Sequence, residues 1–235
     1  MLVAPGCGGQ RGDEPGRPAL RILFVGNSLT ATNELPEVVA SIAAQAGTGP
    51  LEVESVAPGG VSLEEHWSST GARERLVQGR WDAVVFQQGP SSLPDSRAHL
   101  RRWTVRWAGL ARSLGVTPAL MTAWPETERA SSFPAVVASY AGAATASDAV
   151  LLPAGDAWRR ALARNAALPL YGPDGLHPSE LGTALAALVV HAGLTETAIE
   201  SLPPSLDLPG IDENAEPMTA RLIRSAAAEA LAAAG

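Results

Sequence analysis

Leu20-Arg-Ile-Leu-Phe-Val-Gly-Asn-Ser-Leu-Thr30 joins an apolar run to a Gly-Asn-Ser turn and an apolar-periodic segment. Ile22 to Val25 is a short, wholly apolar run, which predicts a buried strand; it breaks at Gly26-Asn27, and an apolar-periodic helix follows. Such a turn puts Ser28 at the carboxyl end of a parallel strand and near a helix N-terminus. Open α/β sheets bind their ligands there. The hydroxyl stands in the open, with backbone N–H groups nearby to receive a developing negative charge. Serines between strand and helix also serve as N-caps. On this stretch alone both readings of Ser28, nucleophile and cap, stay open.

Outward from this stretch, strand and helix alternate. Leu35, Val38, Val39, Ile42, Ala43 and Ala46 recur at helical spacing, with Pro36 near the start and Gly47 closing the helix. Leu51 to Val56 reads as a second strand, ended by Ala57-Pro58-Gly59-Gly60. Residues 62–78 read as one helical stretch. Residues 81–86 form a third strand, apolar enough to be central. An Arg-rich amphipathic helix covers 95–114, with Trp103, Trp107 and Leu110 on its core side. Further strands are expected at 116–122 and 149–152, and further helices at 133–146, 156–167, 179–192 and from Pro217 onward. The alternation predicts an α/β chain: a three-layer α/β/α sandwich with a parallel, flavodoxin-like sheet of about five strands. The expected domains are a flexible segment at 1–19, one α/β domain at 20–200, and a Pro-rich connector with a C-terminal helix at 201–235.

Composition narrows the function. A chain of 235 residues with 46% hydrophobic content can bury a full core as one domain. No apolar run approaches the length of a membrane span. A formal net charge of -7 with scattered arginines argues against a nucleic-acid partner. The single cysteine, Cys7, excludes an internal disulfide, and no Cys/His cluster has metal spacing, so neither a metal nor a cofactor is expected. Ala4-Pro-Gly-Cys7 resembles the end of a bacterial lipoprotein signal, without that signal's basic and long apolar parts. Two readings follow: export with a lipid anchor at Cys7, or a free thiol in a cytoplasmic chain.

The second informative stretch is Asp174-Gly-Leu-His177-Pro-Ser179, in a loop before a helix. A carboxylate and an imidazole three residues apart in a tight turn can meet, so that the acid fixes the ring tautomer and supports the imidazolium. With Ser28 they supply nucleophile, base and orienter. Alternatively, Asp174 caps a turn and Ser179 caps the helix.

Gly26-Asn27-Ser28-Leu29 together with Asp174-Gly-Leu-His177-Pro resembles the GDSL/SGNH hydrolases, over residues 20–192. The resemblance implies a metal-independent serine esterase with Ser28, Asp174 and His177 as its triad. Asn27 stands where the family usually has aspartate. The family also implies oxyanion donors: the N–H of Ser28, that of a glycine after the second strand, and an asparagine after the third. Gly60 fits the glycine, with Gly59 allowing the turn. No asparagine fits, because Gly89-Pro90-Ser91-Ser92 occupies that block. Gln88 or Gln87 then supplies the carboxamide, as some carbohydrate acetylesterases similarly place a Gln near this point. Strand alternation lets only one of the two face the site.

Asn27, Gly59, His66 and Trp124 are candidate pocket residues. For His66 a solvent-facing helix position is the competing reading, and for Trp124 core packing. His99 is expected at the surface and His191 at a helix end. The carboxylate pairs Glu64/Glu65 and Glu126/Glu128 have no evident scissile bond between them. The expected substrate is a small-molecule ester, with acetyl removal from a carbohydrate favoured. A broad carboxylesterase or lysophospholipase is the alternative enzyme. An inactive domain binding glycan or envelope material is the alternative outside catalysis.

Overall fold

The computed structural model describes residues 19–212, 214 and 216–235. The expectations for Cys7 and the rest of 1–18 lie outside the described residues. The elements run β1 (Leu20–Val25), α1 (Ser28–Ala31), a 3-10 turn (Thr32–Glu34), α2 (Leu35–Ala46), β2 (Leu51–Val56), α3 (Leu63–Ser68) and α4 (Ala72–Gln78). Then come β3 (Ala83–Phe86), α5 (Pro94–Ser113), β4 (Thr117–Met121), a 3-10 segment (Thr127–Ser132), α6 (Phe133–Ser147) and β5 (Val150–Leu152). The chain closes with α7 (Ala154–Arg164), α8 (Glu180–Thr195), a short 3-10 turn (Ile199–Ser201) and α9 (Pro217–Ala232).

The five strands are all parallel, in the order β2-β1-β3-β4-β5. Helices flank the sheet in a three-layer α/β/α arrangement, as expected. β1 and β3 are the central neighbours, in register from Ile22 opposite Ala83 to Val25 opposite Phe86. From β1 the chain crosses outward to β2 and then returns to β3 on the other side. The crevice beyond the carboxyl ends of β1 and β3 is therefore the topological switch point. Ile22 to Val25 and Val84 to Phe86 are buried, while β2 forms a half-exposed edge. α2 packs against α8, and α5 against α6.

Two boundaries differ from expectation. Residues 62–78 are two helices, because the chain breaks at Ser69-Thr70-Gly71 and Gly71 takes a left-handed conformation, φ 78°. The third strand begins at Ala83, with Trp81 buried just before it. In α9, whose docking the sequence leaves open, Ala220, Ile223, Ala226, Ala227 and Ala230 are buried, and the helix packs on α7 and α8. Its small side chains let it approach closely.

Candidate active site

The turn after β1 separates the two roles that Ser28 was open to. Asn27 is the N-cap of α1: its side-chain oxygen accepts the Leu29 N–H at 3.1 Å, and its carbonyl accepts the N–H groups of Thr30 and Ala31. Ser28 is thus the first helical residue, and its hydroxyl is released from capping. The turn is held from below by Gln87 at the end of β3, whose Oε1 accepts the Asn27 N–H at 3.0 Å and the Thr30 hydroxyl at 2.8 Å. Gly26 has no room for a side chain. A Cβ there would press on Thr30 Oγ1 and lie 2.8 Å from Gln87 Oε1.

The second limb is the loop before α8. Tyr171 and Pro178 form an antiparallel bridge at its base, and Gly175 turns the chain with φ 69°. Asp174 Oδ1 accepts the N–H groups of Leu176 and His177, both at 3.0 Å, and Oδ2 lies 2.5 Å from His177 Nδ1. The bonds from the imidazole and the two backbone N–H groups pull the Asp174 pKa down to about 2. Asp174 is therefore an acceptor, and His177 Nδ1 carries the proton that it accepts. In the neutral ring Nε2 is then free to accept, and it lies 2.9 Å from Ser28 Oγ. Asp174, His177 and Ser28 form one hydrogen-bonded chain across 149 residues of sequence.

This loop is tied to the segment that follows β4. Trp124 Nε1 donates to the Leu176 carbonyl at 3.1 Å, the Thr127 N–H to the Gly175 carbonyl at 2.8 Å, and the Tyr171 hydroxyl to the Pro125 carbonyl at 2.8 Å. Burial pushes the Tyr171 pKa up, so its hydroxyl stays a donor.

Ser28 opens into a cleft of about 460 Å³. Asn27, Gly60, Val61 and Gln88 line it near the serine, and Ser92, Ser96, Glu126 and Arg129 belong to its rim. Gly60 has φ 74° and faces open space. Gln88 is nearly buried; its Oε1 accepts the Leu63 N–H at 3.2 Å and its Nε2 donates to Ser91 Oγ at 3.0 Å, leaving one amide hydrogen unengaged by these bonds. Ser91 holds a left-handed backbone, φ 54°, and its hydroxyl passes on to the Gly89 carbonyl at 2.9 Å. Ser91 thus orients the Gln88 amide. The backbone of Gln88 is pinned as well, because its carbonyl accepts from Tyr140 Oη at 2.5 Å and from Gln87 Nε2 at 2.6 Å.

Several expected pocket residues sit elsewhere. Gln87 is 1% exposed and bonded through both its amide oxygen and its amide nitrogen beneath the serine turn, and it does not line the cleft. The positive φ falls on Gly60, and Gly59 neither lines the cleft nor takes a left-handed turn. His66 is neither pocket wall nor solvent-facing. It is fully buried, Nε2 donates to the Gly26 carbonyl at 2.7 Å, and Nδ1 faces the Thr70 hydroxyl at 2.7 Å. Burial lowers its pKa, consistent with a neutral ring. Trp124 is 0% exposed and stacks on Trp158 with centroids 3.9 Å apart, under the His177 loop instead of along the cleft. His99 pairs with Glu64 at 2.8 Å in a half-buried position, and His191 is buried against Thr48 instead of serving a helix end. Among the described residues no group of three His, Cys, Asp or Glu side chains is placed to hold a metal ion.

Two cleft residues, Glu126 and Arg129, went unassigned from sequence. They follow β4, whose carboxyl end opens on the same crevice, and that position was the available signal.

No family model and no curated protein matches the chain. Solved structures do. A protein of Slackia heliotrinireducens assigned to the SGNH hydrolases is similar with 28% identity and a TM-score of 0.66, over 75% of this chain and 100% of that one. A DUF4886 family protein from Bacteroides uniformis is similar over 92% of this chain and 95% of its own, at 17% identity and a TM-score of 0.68. An acetyl xylan esterase is similar over 74% of this chain and 100% of its own, at 11% identity and a TM-score of 0.62.

Proposed function

Since the chain is an SGNH hydrolase of the GDSL type, and so a carboxylic ester hydrolase, we propose that Ser28 is its nucleophile, His177 its general base and acid, and Asp174 the group that orients His177. The observation that carries this reading is the continuous chain from Asp174 Oδ2 through the imidazole to Ser28 Oγ, at 2.5 and 2.9 Å.

In this mechanism His177 Nε2 takes the Ser28 proton as Oγ bonds to the ester carbonyl carbon. The imidazolium is stabilised by Asp174, which remains ionised. Collapse of the tetrahedral intermediate breaks the carbon–oxygen bond to the leaving alcohol, and His177 returns the proton to that alcohol. Water then repeats the sequence on the acyl-enzyme, releasing the acid and Ser28. The oxyanion is received by the N–H groups of Ser28 and Gly60 and by the remaining amide hydrogen of Gln88. Donors of this kind are worth roughly 3–4 kcal/mol each when lost.

The substrate proposed is a short acyl ester, acetyl foremost, on a carbohydrate or other polar alcohol. The polar rim of Ser92, Ser96, Glu126 and Arg129 supports a hydroxyl-rich leaving group. The acetyl xylan esterase among the similar folds agrees with that choice.

The test is hydrolysis of p-nitrophenyl acetate by the full chain and by Ser28→Ala and His177→Ala. Each substitution is expected to lower kcat/KM by roughly 10³-fold or more. A fluorophosphonate should label the wild type on Ser28. Turnover that survives Ser28→Ala, or a wild type that neither turns over nor labels, overturns the assignment.

A further inference from the structure

Two arginines from different elements converge on one serine at the edge of the cleft. Arg97, in the first turns of α5, donates from Nη2 to the Ser92 carbonyl at 3.2 Å. Arg129, in the 3-10 segment after β4, donates from Nη2 to Ser92 Oγ at 3.2 Å. Ser92 and Arg129 both line the cleft that holds Ser28.

The carboxylates at hand do not cancel this pair. Arg97 forms no ion pair among the described residues. Glu126 stands 3.7 Å from Arg129 Nη1, with both side chains solvent-exposed, a geometry in which an ion pair contributes little. Asp95 is exposed in the first turn of α5. Each guanidinium carries five donors, and the bonds named here use one at Arg97 and at most two at Arg129. The positive end of α5, a helix of 20 residues, also borders the cleft through Leu93 and Ser96.

The rim is anchored to the reacting groups. Thr127, two residues before Arg129, donates its N–H to the Gly175 carbonyl in the loop of Asp174 and His177. The backbone that carries Arg129 is therefore tied to the loop of His177, which suits a group that positions a substrate.

We propose that Arg129 and Arg97 form an anion subsite, and that the leaving alcohol of the ester carries a carboxylate or phosphate, as on an acidic or phosphorylated sugar. Both anions present paired oxygens to a guanidinium fork. The proposal rests on the esterase reading for its substrate, whereas its binding half stands apart from catalysis.

The experiment compares the same monoacetyl ester of glucose, of glucuronate and of a glucose phosphate, with wild type, Arg129→Gln and the Arg97→Gln/Arg129→Gln double variant. The wild type should favour at least one anionic ester by roughly 10-fold or more in kcat/KM, chiefly through KM, and added salt should erode that preference. Arg129→Gln should remove most of it, lowering kcat/KM on the preferred anionic ester by several-fold more than on glucose monoacetate. The preferred anion identifies its source. Equal rates on all three esters, or a preference that survives the double variant, overturns the subsite. A second readout is independent of turnover: binding of glucuronate and of glucose phosphate to Ser28→Ala, followed by NMR shift perturbation. Binding lost in Ser28→Ala/Arg129→Gln supports the subsite even where no ester is cleaved. Absence of binding in Ser28→Ala, with glucose monoacetate still hydrolysed by the wild type, removes the subsite and leaves the esterase standing.

Discussion

Gln87 and Gln88 are adjacent, chemically identical and opposite in what they do. Gln87 turns both ends of its amide into the protein, accepting from Asn27 and Thr30 and donating to the Gln88 carbonyl. Gln88 lines the cleft, and its bonds to Leu63 and Ser91 leave one amide hydrogen unengaged, which the proposed mechanism assigns to the oxyanion. Their substitutions should therefore fail differently. Gln88→Ala should lower kcat for an acetyl ester by roughly 10²-fold with the melting transition nearly unchanged, since under the proposed mechanism it removes a donor that acts on the transition state. Gln87→Ala leaves a buried N–H and a buried hydroxyl without their acceptor, so a stability loss of about 1–3 kcal/mol in denaturant unfolding is expected. Activity lost equally in both variants at equal stability would refute this division.

At the scale of elements, the strand-to-helix turn after β1 is where sheet, helix and chemistry meet. It is crowded at Gly26, where a methyl group would drive Thr30 and Gln87 apart. Gly26→Ala should cost about 1–3 kcal/mol by overpacking and also reduce kcat by displacing Ser28; wild-type unfolding and turnover would show that the turn has slack. This turn was legible because it joins a strong apolar run to clear breakers, and so was the Asp174 to His177 loop, whose spacing is local. The break within 62–78 was not, since Ser69-Thr70-Gly71 is weak punctuation inside a helical pattern and only the fold makes Gly71 left-handed. The choice between Gln87 and Gln88 was equally out of reach. Alternation says that one of two neighbours faces the site, but β3 ends at Phe86, and which one turns inward depends on Asn27, Thr30 and Ser91 from elsewhere in the chain. His66 and Trp124 are candidate pocket residues only by proximity in sequence to the site; packing puts both beneath it, which for Trp124 is the core-packing reading and for His66 neither of the two readings. Arg129 lies in a 3-10 segment without periodicity, so only its place just after β4 marks it as a rim residue.

For the whole molecule, α8 is the keystone: it is buried from Leu181 through Ala192 and packs on α2, α7, α9 and β5. Near its end lies His191, fully buried, with Nε2 3.0 Å from Thr48 Oγ1 just past α2. No partner reaches Nδ1 among the described residues. Burial pushes its pKa from 6.5 down to about 4, so the native ring resists the proton that an unfolded chain accepts readily. Between these two values the unfolded state binds more protons than the native state, and stability must fall as pH falls. The contribution is fully present above about pH 6.5 and lost on the way down through about pH 4, and a shift of that size corresponds to about 3 kcal/mol. Because α8 also follows directly on the loop of Asp174 and His177, acid should loosen the helix that anchors the site. Denaturant unfolding of wild type and His191→Gln at pH 7 and at a pH near 4 isolates the effect, since carboxylate titration is common to both proteins. The wild type should lose roughly 2–3 kcal/mol more than the variant across that interval. Parallel losses in the two proteins would mean that His191 takes up its proton in the native state without penalty, and that acid sensitivity in this fold arises elsewhere.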